Sequence, residues 1–287
     1  MRRIAKLLFI LLLIGAMMLI AAGCPAEVAP PPANDEPAVE EPVLDPQAVV
    51  LDAAKAYFPK VADNNNIIES EKVKEALDAD PDAMFILDIR RAEDFELGHI
   101  PGSVHSGWGQ VGEIMDRIPR DRPVVIACYS GQTSGQTVGI LRLAGFENVV
   151  SLFYGVRDGW VGKSQFTTEG TGMVAAADLT QVSSPVDEKE EILWEKARAV
   201  FTDIAGGNTA IIPPPELKAA LDADPNSFYV LDIRRGEDFA AGHIEHSVHS
   251  AWAAVGNVLD TLPTDRPIVI ACYSGQTAGQ TVGVLRM

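Results

Sequence analysis

Apolar and polar positions divide the chain into distinct regimes. Leu7 to Ile20 is an apolar stretch interrupted only by Gly15 and Ala16, and Arg2, Arg3 and Lys6 precede it. A run that short behind a positive start predicts the core of a secretory signal peptide rather than a full membrane span. Pro25 to Pro46 is rich in Pro, Ala, Glu and Asp and has no hydrophobic period. Such a segment cannot bury enough apolar surface to order itself, so an extended, self-repelling tether is expected. Beyond it, compact apolar runs alternate with amphipathic stretches. Phe85 to Ile89, Val124 to Ala127 and Val149 to Leu152 have the continuous hydrophobicity of buried parallel strands. Val73 to Leu77, Val111 to Ile118 and Gly135 to Leu143 are expected to be helical, and Gly98 to Ser103 supplies turn residues. Strands alternating with helices predict an α/β fold, a parallel sheet with helices on both faces. Ligands of such sheets gather beyond the carboxyl ends of the strands.

The same pattern occurs twice. Leu77-Asp78-Ala79-Asp80-Pro81 returns as Leu221-Asp222-Ala223-Asp224-Pro225, and the same offset carries His99 to His243, Trp108 to Trp252 and Cys128 to Cys272. Between Ile67–Leu143 and Ile211–Met287 roughly three positions in five are identical, and so long a period marks a duplicated domain rather than a solenoid repeat. The expected organisation is a signal peptide over 1–23, a tether over 24–46, one domain over 47–166, a small polar linker over 167–187 and a second domain over 188–287.

Composition narrows the function. The 287 residues are 47% hydrophobic and 22% charged, as in globular proteins, with a formal charge of −17 from 23 basic and 40 acidic residues. That surface repels nucleic acid, and no basic stripe with interleaved aromatics offsets it. Three cysteines cannot form a disulfide framework, so each is read as a separate site. Ala21-Ala22-Gly23-Cys24, after Leu19-Ile20, resembles the bacterial lipobox, with Ala21 at the position usually held by Leu. The resemblance implies lipidation of Cys24 and a membrane-anchored protein of the bacterial cell envelope, facing outside the cytoplasm. An uncleaved anchor and a plain signal peptide cleaved elsewhere remain alternatives.

Cys128-Tyr129-Ser130-Gly131-Gln132-Thr133-Ser134 reads as a strand-to-helix turn with a thiol at its first position. Backbone N–H groups of such a loop and of the first helical turn have no helical partners and can converge on an anion. That environment favours a thiolate nucleophile. A buried structural cysteine is the alternative reading. Around Cys272 the loop differs only in Ala278 for Ser134.

Taken together, these motifs resemble the rhodanese-like sulfurtransferases. The matching features are Leu87-Asp88-Ile89-Arg90 with Glu93-Asp94-Phe95, then Gly98-His99-Ile100-Pro101-Gly102-Ser103, the Cys128 loop, and Gly155-Val156-Arg157-Asp158-Gly159-Trp160. The second copy matches through Arg286, with Glu245-His246 replacing Pro101-Gly102. The resemblance implies two rhodanese-like domains, with Cys128 and Cys272 as catalytic nucleophiles that accept sulfur as a persulfide. It implies substrate-binding loops at Tyr129, Ser130, Gly131, Gln132 and Thr133 and at Tyr273, Ser274, Gly275, Gln276 and Thr277. Asp88 with Arg90, and Asp232 with Arg234, are expected to form supporting hydrogen-bond networks.

The implied partners are a small sulfur-containing anion and a thiol or cyanide acceptor, with no metal and no organic cofactor. His99 and His243 are read as structural, while His105, His246 and His249 lack metal-ligand spacing. Trp108 and Trp252 are expected to pack over the cleft or core. Family members often carry Arg after the cysteine and near the loop's end, where this chain has Tyr129 and Thr133. A guanidinium is the natural clamp for a divalent oxyanion, so the sulfur donor is left open between thiosulfate and a persulfide or polysulfide. A persulfide carrier or binding module is the alternative function. Phosphatase or arsenate reductase activity is disfavoured by the six-member loop and its missing Arg. The second copy reaches the counterpart of Leu143 at Met287, so it is expected to be incomplete, lacking an equivalent of the Val149 to Leu152 strand.

Overall fold

The computed structural model describes residues 43–170 and 172–287. The signal peptide, Cys24 and most of the tether lie outside the described residues. In chain order the first copy comprises α1 (Pro46–Lys60), β1 (Ile67–Ile68), α2 (Ser70–Ala79), β2 (Phe85–Asp88), α3 (Ala92–Leu97), β3 (Val104–His105), β4 (Val124–Ala127), α4 (Gln132–Leu143) and β5 (Val149–Leu152). Its five strands are all parallel, in the order β1-β5-β4-β2-β3. Every residue of β2 and β4 is buried, as a sheet covered on both faces requires. Alternation then sorts the side chains. Ile86, Val125 and Ala127 face a cluster with Val73, Ile100, Val156 and Trp160, whereas Phe85, Leu87, Val124 and Ile126 face the opposite, larger core.

One predicted helix takes another form. Val111 to Ile118 is two 3₁₀ turns, Trp108–Glu113 and Met115–Arg117, separated by Ile114. Val111, Ile114 and Met115, and Ile118 are all buried, and a repeat near three residues suits the tighter helix as well as the α-helix. Residues 167–187, expected as a linker, run against the first copy. The backbones of His99 and Glu169 bond each other in both directions, at 2.8 and 3.0 Å, and His105 N–H donates to the Val174 carbonyl at 2.8 Å.

The second copy follows as α5 (Glu188–Ala205), α6 (Pro214–Ala223), β6 (Tyr229–Asp232), α7 (Gly236–Ala241), β7 (Val248–His249), β8 (Ile268–Ala271) and α8 (Gln276–Arg286). Its sheet has three parallel strands in the order β7-β6-β8, with the same register as the first copy. A cavity of about 980 Å³ lies along β8, bordered by residues of the 207–214 segment and by Gln132 and Gln136 of α4.

The packing units cut across the two sequence copies. Trp194, Ala197, Val200, Phe201 and Ile204 of α5 lie in the core of the first copy. Ala54, Tyr57, Phe58 and Val61, from α1 and its end, lie in the core of the second. Each sheet is therefore covered by the helix that precedes the other one in sequence. The expected second domain, although it holds fewer strands, thus has a packed core on the face that α1 closes.

Between the sheets α4 and α8 run side by side in the same direction. A Cβ on Gly135, Gly139, Gly279 or Gly283 would stand 2.3, 2.2, 2.4 or 2.3 Å from the carbonyl oxygen of Gln276, Gln280, Gln132 or Gln136 respectively. Only glycine permits backbones that close. The glutamines between them are buried and satisfied across the contact. Gln280 Nε2 donates to the Asn65 carbonyl at 2.9 Å, and its Oε1 accepts from Tyr57 Oη at 2.6 Å. Gln136 Nε2 makes the equivalent bond to the Thr209 carbonyl at 3.0 Å. Burial holds the Tyr57 phenol well above its ordinary range, and the hydrogen bond from Asn66 offsets only part of that. Tyr57 therefore stays a neutral donor.

Gly139→Val is expected to lower stability in urea by about 2–3 kcal/mol, because the clash is with backbone that cannot swing away. Gly242→Ala, with nothing within 4 Å and an extended φ of 165°, should change it by less than about 0.5 kcal/mol.

Candidate active site

Cys128 follows β4 directly, at the carboxyl edge of the sheet. The chain must reverse within three residues to start α4, and Gly131, at φ 98°, makes that reversal. Its N–H points back at the sulfur, with Gly131 N 3.1 Å from Cys128 Sγ. The Ser134 hydroxyl in the first turn of α4 is 3.3 Å from the same sulfur. Ser134 Oγ also lies 3.0 Å from the Gly131 carbonyl and 2.8 Å from Ser151 Oγ on β5. Cys128 is only 2% exposed, so the thiol sits beneath its loop rather than on it.

The segment after β5 clamps the loop from outside. Val156 N–H donates to the Cys128 carbonyl at 2.7 Å and Arg157 N–H to the Tyr129 carbonyl at 3.1 Å. Gly155, at φ 65°, would place a Cβ 2.4 Å from the Cys128 carbonyl, which accounts for glycine there. Arg157 follows, largely exposed and ion-paired to Asp158 at 2.6 Å. Asp158 holds the Arg157 guanidinium above its ordinary value, and negative charge on Cys128 adds to that more weakly. Arg157 is therefore a permanent cation within electrostatic range of the sulfur.

Several expected site residues serve as braces. Tyr129 Oη donates to Asp94 and accepts from Arg91 N–H, at 3.1 Å, tying the cysteine loop to α3. Those bonds, from Tyr129 first and Arg91 second, hold the Asp94 carboxyl below the usual carboxylate range. Arg90 is paired with Asp88 through Nε at 3.0 Å and Nη2 at 2.7 Å, and Nη2 also donates to the Gly98 carbonyl at 2.7 Å. The Arg90 carbonyl is 2.8 Å from His105 Nε2, and Ser106 N–H donates to the Asp88 carbonyl. This pair joins β2, the Gly98 turn and the strand beside it. His99 stacks on Phe95 with ring centroids 3.8 Å apart, and its Nδ1 is 2.8 Å from the Phe95 carbonyl. Thr133 contributes its carbonyl to Thr137 Oγ1 at 3.0 Å, and Ser130 is half-buried in the loop.

The second site repeats the frame with a difference. Gly275 N–H lies 3.1 Å from Cys272 Sγ, and Ala278 N–H lies 3.4 Å away where the first site has a hydroxyl. Cys272 is half-buried, while Tyr273 and Ser274 are exposed. Tyr273 bonds Asp238 and Arg235 as Tyr129 bonds Asp94 and Arg91. Asp232 and Arg234 pair at 2.7 Å. Burial pushes the Asp232 carboxyl up, but the bonds from Arg234 outweigh it and leave the group below its usual range. Thr277 offers its carbonyl to Thr281 Oγ1 at 3.1 Å.

Two of the expected loop residues act elsewhere. Gln276, expected in the binding loop of Cys272, directs its side chain into the first copy, where Nε2 lies 2.6 Å from Ser151 Oγ and 3.0 Å from the Leu152 carbonyl. Gln132, expected in the loop of Cys128, borders the cavity beside β8, with its amide 3.4 Å from where a Gly275 Cβ would stand. The cause is the parallel α4–α8 contact, which sets each helix's first residue against the other copy. Sequence reasoning named Ser134 and Arg157 only within motifs, with no role for either, and did not name Ser151. Ser134 carried a signal, as the one position at which the two cysteine loops differ. Ser151 carried none, because its relation to Cys128 depends on the register of β5 against β4. Among the described residues, no group of three or more His, Cys, Asp and Glu is placed to hold a metal ion.

A family model described as Rhodanese-like domain matches residues 69–163 and 213–287. A thiosulfate sulfurtransferase of Actinobacillus succinogenes is 35% identical over 75 residues, covering 26% of this chain and 67% of that protein. A sulfurtransferase of Allochromatium vinosum is 34% identical over 91 residues, covering 32% of this chain and 84% of its own. A Bacillus subtilis protein provisionally named a sulfur carrier is 34% identical over 98 residues, covering 34% of this chain and about half, 52%, of its own length. Among solved structures, the thiosulfate sulfurtransferase of Pseudomonas aeruginosa matches 82% of this chain and 44% of its own, at 20% identity and a TM-score of 0.37.

Asp88→Ala leaves Arg90 buried without its counter-ion and is expected to cost about 3–5 kcal/mol in urea unfolding. Asp232→Ala should cost less, about 1–3 kcal/mol, because the Arg234 side chain is 20% exposed and water can reach it.

Proposed function

The chain belongs to the rhodanese-like family, and on that footing we propose that it is a sulfurtransferase in which the Cys128 sulfur carries sulfane sulfur as a persulfide. One observation carries the reading: a thiol at the carboxyl end of a central strand with a backbone N–H at 3.1 Å and a hydroxyl at 3.3 Å. Donors placed there stabilise negative charge on sulfur, the form that attacks and the form the product persulfide retains.

The Cys128 thiolate attacks the outer sulfur of thiosulfate, forming a new S–S bond. The old S–S bond breaks and its electron pair leaves with sulfite. A thiolate acceptor then attacks the terminal sulfur of the persulfide, takes that atom, and returns Cys128 as thiolate. Two negative charges from the donor and one from the enzyme are conserved in the first step, and no oxidant is needed. With a polysulfide donor a shorter polysulfide leaves in place of sulfite.

Arg157 supports the thiosulfate version. It is the cation nearest in role to the loop arginines this chain lacks, and a guanidinium suits a sulfonate-like end. Persulfide carriage without rapid turnover is the second reading, favoured by the depth of Cys128 and the absence of an Arg within its loop. Cys272 is proposed as a weaker equivalent, with Ala278 where Cys128 has Ser134. The resemblance of Leu19 to Cys24 to a lipobox supports placing this chemistry outside the cytoplasm, on a lipid anchor of the bacterial envelope.

Intact-mass spectrometry of the reduced protein, exposed separately to thiosulfate and to polysulfide, should show the gain of one sulfur atom. Cyanide should remove it and Cys128→Ser abolish it. No adduct from either donor on folded protein would overturn the sulfurtransferase reading. Arg157→Ala should raise the KM for thiosulfate about threefold, the scale of an exposed ion pair, and leave loading by polysulfide unchanged.

A further inference from the structure

Gln276 opens α8 in the second copy, yet it is 1% exposed and its amide lies within the first. Its end groups can be assigned from chemistry alone. A carbonyl oxygen only accepts, so the atom 3.0 Å from the Leu152 carbonyl is the NH₂ nitrogen. The same NH₂ lies 2.6 Å from Ser151 Oγ and donates to it. Either hydroxyl could donate across the 2.8 Å between Ser151 Oγ and Ser134 Oγ, but Ser134 already donates to the Gly131 carbonyl, so the Ser151 proton goes to Ser134. Ser134 therefore accepts from Ser151 and keeps its proton to give. Two acceptors are in reach of it, the Gly131 carbonyl at 3.0 Å and Cys128 Sγ at 3.3 Å.

This arrangement answers to the charge on sulfur. With a neutral thiol, the S–H donates to Ser134 and the Ser134 proton rests on the Gly131 carbonyl. With a thiolate, the Ser134 proton turns to sulfur and joins the Gly131 N–H as a second donor. The Gly131 carbonyl is not left bare, since Gly135 N–H donates to it at 2.9 Å. Hydrogen bonds in a chain polarise one another, so a donor at its far end strengthens the last bond.

We infer that Gln276 is a positioning residue for the Cys128 thiolate. Through Ser151 it aims the Ser134 hydroxyl at the sulfur, and the first copy's site is complete only with the second copy docked. The glycine contact between α4 and α8 holds it there, and Gly131 leaves room for it, since a Cβ at that position would stand 2.8 Å from Gln276 Oε1. The device serves one sulfur only, because Ala278 replaces the terminal hydroxyl at Cys272. The inference rests on the proposed function solely for its choice of Cys128 as the reacting thiol.

The test is alkylation of Cys128 by iodoacetamide in the full chain, followed on the Cys128 peptide by mass spectrometry, which involves no sulfur donor. Gln276→Ala should slow alkylation about threefold near pH 7. It should not slow it near pH 10, above the ordinary range of cysteine thiols. Ser151→Ala breaks the same chain from the first copy and should do likewise. Ser134→Ala, the residue the second copy carries naturally as Ala278, should slow alkylation near pH 7 at least as much. Adding Gln276→Ala to Ser134→Ala should then change nothing further. An unchanged rate near pH 7 in both Gln276→Ala and Ser151→Ala would overturn the inference. So would a slowing that persists near pH 10, or one that survives in the Ser134→Ala background, since either would mean altered access or packing. Failure of sulfur loading would leave these outcomes untouched, so the two readings fail separately.

Discussion

The backbone contact between α4 and α8 is the constraint on which the arrangement of this protein depends. Four glycines meet four carbonyl oxygens at distances that admit no side chain, so the helices lie parallel with their first turns level. Each first turn follows a cysteine, and the contact therefore brings the two cysteine loops to the same end of the α4–α8 pair. The buried glutamines between the glycines find their partners across the contact rather than within their own helices. Burying amides in this way is tolerable only because every end is bonded.

From that contact follows the exchange of the outer helices. A sheet with one face against α4 or α8 still needs the remainder of that face covered, and the nearest amphipathic helix is the one that belongs to the other copy in sequence. Trp194 and Phe201 on α5 and Tyr57 and Phe58 on α1 supply the large apolar side chains that do this. The duplicated chain thus folds as two interlocked sheets. A change in either copy's interface helix is felt in both cores.

Near-identical loops end in unlike surroundings. The Cys128 sulfur is met by Gly131 N–H and the Ser134 hydroxyl, which Ser151 and then the Gln276 amide back in turn, whereas the Cys272 sulfur is met by the N–H groups of Gly275 and Ala278. The difference at the sulfur comes from one substitution, Ala278 for Ser134, and from what lies beside each loop. Duplication supplied two thiols in one frame, and one loop position, Ser134 against Ala278, sets the hydroxyl at the first sulfur apart from the backbone N–H at the second.

Much of the fold was legible in the residues. Runs such as Phe85–Asp88, Val124–Ala127 and Val149–Leu152 are apolar throughout because parallel strands are covered on both faces, and that pattern is a local property. The cysteine at a strand end is local as well, while the Asp88–Arg90 network was expected only from the family resemblance. The 3₁₀ turns around Val111 were not legible, because their burial repeat is compatible with either helix. Only the tertiary structure decided which copy each outer helix covers, that Gln276 and Gln132 cross to the opposite copy, and that Ser151 stands beside Ser134. These depend on how far apart two backbones lie and in what register, and that is set by contacts between residues far apart in sequence, which no local pattern records.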